Sequence, residues 1–399
     1  MKIAIVVQGR FYAFDVAREL ARHHDVTVFT NYPKWAARRF GLEPSMVRSF
    51  WLHGVLTRVA ERFHKTLKLS FPEAFLHRLF GRWAAARLAK ENWDVIQPFS
   101  GVSEEILRSP GCRSALCIVK RASSHIRTQA RLLVEEQRRT GANLDRPSTW
   151  MMAREEREYA LADNVMVVSR FSYDSFLEEG FPGEKLSLLL LGAELDCFRP
   201  APDVVEARCA RILSGEPLRV LFVGALSFRK GMWDMAAILR SPAAGRFRFR
   251  LVGPVSTEVG SLARDLGGAA EFVSKQPQAE LPKSHAWGDL FIFPTIEDGF
   301  PVVLAQAAAA GLPILTTPNG SGPDLIRPGE SGWVLPVRSP EAFLERLEWC
   351  DTHRAELADM VRNTYRKFQP RTWETVGADF ACICADLAEH RRKEALVVK

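Results

Sequence analysis

The stretch "DLFIFPTIEDGFPVVLAQAAAAGLPILTT" (residues 289–317) reads as strand, loop, helix and strand. Its first apolar run closes at Pro294, Pro301 suits the opening turn of a helix, and Gly311 suits its end. A helix between two apolar strands is the crossover of a parallel sheet covered by helices on both faces. The helix is apolar at Val302 to Ala305 and again at Ala307 to Ala310, which leaves Gln306 as its one polar residue. A buried amide without partners costs about 1 to 3 kcal/mol, so Gln306 needs either neighbouring backbone or a ligand hydroxyl.

The same alternation runs along the chain. Strands are expected at residues 2–7, 25–30, 93–99, 115–120 and 164–169, and a second series at 219–224, 249–253, 269–274, 289–294 and 312–317. Two series imply two doubly wound α/β domains facing a cleft. The prolines, Gly215 and missing strand pattern around residues 198–217 mark a linker. Ligands of open parallel sheets sit outside the carboxyl ends of the strands, so the loops there carry the functional reading.

One such loop is "VGALSFRKGMWDM" (223–235), which leaves a strand at Gly224 and enters a helix near Gly231. Arg229 and Lys230 stand just before that helix, where free amides and the helix dipole favour an anion, a diphosphate above all. The bland alternative is a solvated basic turn. The loop is neither a Walker loop nor a Gly-x-Gly-x-x-Gly fingerprint, which argues against an ATPase and a dehydrogenase. In the other loop, Gly299 lets the backbone approach a ligand and the amides around Phe300 point out of the helix start.

Composition sets outer bounds. A chain of 399 residues with 25% charged residues is ordinary for globular domains with their own cores. The opening apolar run is too short for a signal peptide and no later run approaches the ~20 residues that span a bilayer, so a cytoplasmic chain is expected. Seven scattered cysteines read as reduced packing residues. The net charge of +7 is regional: residues 34–90 carry twelve Lys or Arg against three Glu. Val47, Trp51, Val55, Val59 and Phe63 fall at four-residue steps on one helical face, with Arg48, Arg58, Arg62 and Lys65 largely off it. Such a helix either lies on an anionic membrane surface or packs into the core with a solvated basic face. No recognition module accompanies the charge, which argues against nucleic acid.

The acidic-Gly-Phe-Pro turn, the Ala-rich helix, Gly311-x-Pro313 and the turn through Gly320 and Gly322 to Asp324 together resemble the retaining glycosyltransferases of family 4. "EYALADNVMVVSRFSYDSFLEEGFPGEKLSLLLLGAELDCFRP" (158–200), "FVGALSFRKG" (222–231) and "FQPRTWETVGADF" (368–380) are similar to further segments of that family. The resemblance implies a GT-B fold: a Rossmann-like domain over 1–199 on the acceptor side, a linker over 200–217, a Rossmann-like donor domain over 218–370, and a final helix over 371–399 packing back on the first domain. It implies a nucleotide-sugar donor, UDP or GDP being expected, no further cofactor and no metal. A glycan or polyprenyl-linked acceptor of surface-polysaccharide biosynthesis is implied as well.

By the same resemblance Lys230 and Arg229 hold the diphosphate, Arg229 standing in for an arginine that many members place where this chain has Ala225. Asp298, Gly299 and Phe300 meet the sugar, Pro301 belongs to the same donor-binding turn, and Gln306 holds the ribose where the family has an acid. His125, in "KRASSHIR" (120–127), matches a histidine by the donor sugar, and a structural histidine is its alternative. Gly9 and Arg10, with Phe11, match an N-terminal loop facing the donor phosphates and the acceptor. Acid positions filled by Asp298 and Gln306, with Ala225, leave open a catalytically weakened GT-B subunit that supports a partner. A sugar-nucleotide epimerase would need acid/base carboxylates that the sequence does not assign.

Overall fold

The apolar runs become the strands of two parallel sheets in the computed structural model, which describes residues 1–67 and 71–397. The first sheet contains β1 (Lys2–Val7), β2 (Asp25–Thr30), β3 (Val47–Ser49), β4 (Val95–Pro98), β5 (Leu116–Lys120), β6 (Asn164–Val167) and β7 (Leu186–Leu188), in the order β3-β2-β1-β4-β5-β6-β7. The second contains β8 (Leu218–Val223), β9 (Phe247–Val252), β10 (Glu271–Val273), β11 (Leu290–Phe293), β12 (Ile314–Thr316) and β13 (Gly332–Val334), in the order β10-β9-β8-β11-β12-β13. Helices cover both faces, so central strands such as Ile3 to Val7 and Val220 to Phe222 are fully buried. In each sheet the order reverses once, between β1 and β4 and between β8 and β11. Those switch points are where an open sheet leaves a crevice for ligand. The second is flanked by the two loops that the sequence singled out.

Three differences from expectation have simple causes. The strands β3, β7 and β13 are three-residue edge pieces, too short to show a period, and β3 takes Val47 off the expected helical face and buries it in the first core. The expected linker is mostly the helix Pro202–Leu213, whose Val205, Cys209 and Ile212 belong to the second domain's core. Arg208 in that helix is fully buried and donates to the Ala310 carbonyl at 2.7 Å and the His285 carbonyl at 3.2 Å. Prolines at the ends of that segment hid a helix with an apolar face.

The helix Trp373–Val397 returns to the first domain. Its Val376, Phe380 and Cys384 pack with Ala13, Phe14, Ala17 and Leu20, and Arg391 donates to the Ala115 carbonyl at 2.7 Å. The two domains also meet along the helix Ile126–Thr140. There Arg338 donates to Glu135 at 2.8 Å, Glu136 at 2.9 Å and the Leu132 carbonyl at 2.9 Å, while Arg139 pairs with Asp234.

The basic aromatic segment forms the helices Trp51–Leu67 and Glu73–Leu88. The first rests on the domain through His53, which is buried against the Leu76 carbonyl at 2.9 Å, and Gly54, where a Cβ would stand 2.4 Å from the Asn31 carbonyl oxygen. Its other side is uncovered. Trp51, Leu52, Val55, Leu56, Val59 and Phe63 are all exposed, with Arg58 and Arg62 exposed beside them. The Lys65 side chain lies outside the described residues. No helix among the described residues is long and apolar enough to cross a membrane.

Candidate functional site

The phosphate-loop segment is shaped by hydrogen bonds to its own backbone. The Ser227 side chain accepts the Lys230 amide at 3.3 Å and the Ser227 carbonyl accepts it at 3.0 Å, which closes a single tight turn over Phe228–Lys230. Gly231 then takes φ +85°, and a Cβ there would stand 2.0 Å from the Pro294 carbonyl oxygen. Only glycine fits that approach. The helix Met232–Arg240 begins directly after it, so Arg229 and Lys230 stand at its N-terminal end as expected. The Arg229 carbonyl accepts the Ile296 amide at 2.9 Å, which ties this loop to the one after β11.

Both cations meet consecutive acids of that second loop. Lys230 pairs with Asp298, and Arg229 Nη2 lies 2.6 Å from Glu297 Oε2 while its Nε donates to the Glu297 carbonyl at 3.1 Å. Glu297 was not singled out in the sequence, although it is the more buried of the two acids, with no exposure at all. Its Oε1 accepts Ser123 Oγ at 2.5 Å, Ser124 Oγ at 2.8 Å and the Ser124 amide at 3.3 Å, and its Oε2 accepts Gln129 Nε2 at 3.3 Å. Burial by itself would raise the carboxyl pKa. Arg229, the hydrogen bonds from Ser123 and Ser124, and Lys230 outweigh it and hold the pKa down to about 2.

The Asp298 amide donates to the Asn319 carbonyl at 3.0 Å, and Asn319 Nδ2 returns to the Ile296 carbonyl at 2.8 Å. Gly299 then touches the opposite domain, since a Cβ there would stand 2.0 Å from the Ala122 carbonyl oxygen. Phe300 packs into the first domain's core beside Phe99, Leu189 and Trp373. Pro301 caps the helix Val302–Ala309. In its second turn Gln306 is 7% exposed, and its Oε1 is sealed from solvent without any hydrogen-bond donor. Neighbouring backbone does not satisfy this oxygen.

Other expected residues sit elsewhere. The His125 ring packs against Phe176 at 4.7 Å and Tyr159 at 5.2 Å between ring centres, and its Nδ1 accepts the Arg127 amide at 3.3 Å as the cap of the helix Ile126–Thr140. Burial, then Arg121 and Arg127, push its pKa down to about 4. The pocket it lines is shared with Arg127, Glu156 and Glu179, and neither Arg229 nor Glu297 lines it. Its neighbours Ser123 and Ser124 reach the site in its place. The Arg10 guanidinium lies over the Phe40 ring at 4.1 Å, and the Gly9 amide donates to Asn31 Oδ1 at 2.6 Å. Both groups that the resemblance aimed at phosphates are thus engaged by the first domain. Gly224 follows β8 where expected, packed against Phe293 and Gly253. Among the described residues no group of three or more His, Cys, Asp or Glu is placed to hold a metal ion.

Comparison with known proteins gives two family matches, Glycosyltransferase Family 4 over residues 10–196 and Glycosyl transferases group 1 over residues 217–351. The chain is 26% identical over 218 residues to the amylovoran biosynthesis glycosyltransferase AmsK of Erwinia amylovora, a match covering 51% of each chain. The match thus spans about half the length of that relative. In fold it is similar to Anabaena Alr3699/HepE in complex with UDP, with TM-score 0.68, 14% identity and coverage of 97% and 100% of the two chains. It is similar also to WaaG, a glycosyltransferase involved in lipopolysaccharide biosynthesis, with TM-score 0.60, 18% identity and coverage of 96% and 99%. At these identities the structural likeness speaks for the fold alone.

Proposed function

The chain belongs to the glycosyltransferases, family 4 over its first domain and group 1 over its second, and from that premise we propose that it moves a sugar from a nucleoside diphosphate to a hydroxyl of a glycan or polyprenyl-linked acceptor. The observation that carries this reading is the pair Arg229 and Lys230 at a helix start on the second sheet's switch point, one helix away from the unsatisfied Gln306 oxygen. When the bond to the anomeric carbon breaks, negative charge grows on the leaving diphosphate. Two fixed cations and a helix N-terminus stabilise that charge as it forms, without a metal. Gln306 then accepts a ribose hydroxyl, and Asp298 and the backbone of Gly299 and Phe300 meet the sugar. The acceptor hydroxyl attacks from the face that the diphosphate leaves, and this same-face substitution retains configuration without a nucleophilic carboxylate.

The donor base is uracil or guanine. The AmsK likeness and the uncovered face of helix Trp51–Leu67 support surface-polysaccharide assembly at the cytoplasmic face of the inner membrane. Six exposed apolar side chains on that helix, flanked by Arg58 and Arg62, fit an anionic lipid surface better than they fit water. Acceptor-dependent release of nucleoside diphosphate from UDP- or GDP-sugars, with the donor's anomeric configuration kept in the product, tests the reading. Nucleotide binding without turnover would favour the supporting subunit instead.

A further inference from the structure

We propose that Glu297 is a positioning residue that both fixes Arg229 for the leaving diphosphate and latches the two domains together. The first half of this assignment rests on the donor reading above; the second rests on interdomain distances alone.

A fully buried carboxylate is tolerated only when its charge and lone pairs are met. Glu297 belongs to the second domain, yet the hydroxyls of Ser123 and Ser124, the Ser124 amide and the Gln129 side chain all come from the first. That receptor is built in advance by Arg121. Its Nε donates to the Ser124 carbonyl at 2.9 Å, its Nη2 to Gln129 Oε1 at 2.7 Å, and its Nη1 to Glu155 at 2.8 Å. Because a guanidinium only donates, it fixes Gln129 with the oxygen toward itself and the NH2 toward Glu297. The first domain thus presents hydroxyl, amide and carboxamide donors to a single carboxylate of the second.

On its other side Glu297 takes the Nε and Nη2 edge of Arg229 with its own carbonyl and Oε2. A guanidinium held along one edge keeps Nη1 for a further anion, in a fixed plane. Closing the domains completes the carboxylate's coordination and sets the arginine in the same movement. The neighbouring contacts at Gly299 and Phe300 are made by the same loop, so closure and the donor site share one segment.

The test is the double variant Ser123→Ala/Ser124→Ala beside Glu297→Gln, both in the full chain and checked for folding by thermal melting. The serine variant leaves the Arg229–Glu297 pair in place but removes the Ser123 Oγ that accepts Arg229 Nη2 at 3.5 Å, a contact that the single Ser124→Ala variant keeps. It should lower kcat at least tenfold while the donor KM changes less than about threefold, and small-angle scattering should show a larger radius of gyration than the wild type. Glu297→Gln should lower kcat and raise the donor KM together. Wild-type kcat and wild-type scattering from a folded serine variant would overturn the latch, and the single Ser124→Ala variant serves if the double one does not fold. Should the wild type turn over no sugar nucleotide, the donor reading fails, while the scattering comparison still decides whether Glu297 joins the domains.

Discussion

Two helices of this molecule break the ordinary rule of burial in opposite senses. Val302–Ala309 is apolar and buried, yet it carries the Gln306 oxygen sealed from water with no donor. Trp51–Leu67 is amphipathic, yet its apolar side faces outward, with Trp51 at 53% and Phe63 at 50% exposure. A buried polar group without a partner suits a small polar ligand reached from inside a cleft. An apolar stripe without cover suits an extended apolar surface reached from outside. On the function proposed above, the first departure marks the substrate site and the second the docking face.

The largest effect is expected at a third departure, in the first domain. Lys120 is 2% exposed, its Nζ has no hydrogen-bond partner among the described residues, and the nearest ring is Tyr12 at 5.9 Å. Burial lowers its pKa to about 7, against roughly 10.4 in an unfolded chain. Between those values the unfolded chain binds more protons than the folded one, so this group makes stability rise with pH across that window. Lys120→Met should therefore gain about 5 kcal/mol at pH 6, with the gain fading toward pH 10. Urea denaturation at pH 6, 8 and 10 checks it, and a gain that ignores pH would mean that Lys120 is neutralised in some other way.

Next in size is the outward stripe. Replacing Trp51, Val55, Val59 and Phe63 with serine should weaken binding to anionic vesicles at least about a hundredfold, from lost apolar contact. Melting should stay within a few degrees of the wild type, because the four side chains cover no core. A large fall in melting temperature with unchanged vesicle binding would make the stripe structural. Smallest is Gln306→Leu. It should weaken nucleoside diphosphate binding about tenfold and leave stability equal or higher, since it removes an unsatisfied buried oxygen. Loss of stability with unchanged affinity would return Gln306 to the core.

Much of the fold was legible because the buried strands of parallel sheets are continuous apolar runs with glycine and proline at their ends. Such runs as residues 2–7 and 289–294 need no partner to be recognised. The three-residue strands at 47–49, 186–188 and 332–334 owe their existence to a neighbouring edge, which leaves no pattern in their own residues. At the candidate site, Lys230 and Gln306 stood out by charge before a helix and by polarity within one. Glu297 did not, because its role depends on Ser123 and Ser124 more than 170 positions away. The signal available was the pairing of Glu297 with Asp298 opposite Arg229 and Lys230, two acids for two bases. His125 shows the converse: its position in "RASSHIR" is right for the site, but its ring turns into the aromatic cluster of Tyr159 and Phe176.

The central claim is that Arg229 and Lys230 receive a nucleoside diphosphate. Calorimetric titration of UDP and of GDP into the wild type and into Lys230→Ala tests it most directly. The account predicts that one of the two binds the wild type and that the variant weakens it at least about tenfold, the loss of one charge-assisted contact. Equal affinity in both proteins, or no binding of either nucleotide to the wild type, would contradict it.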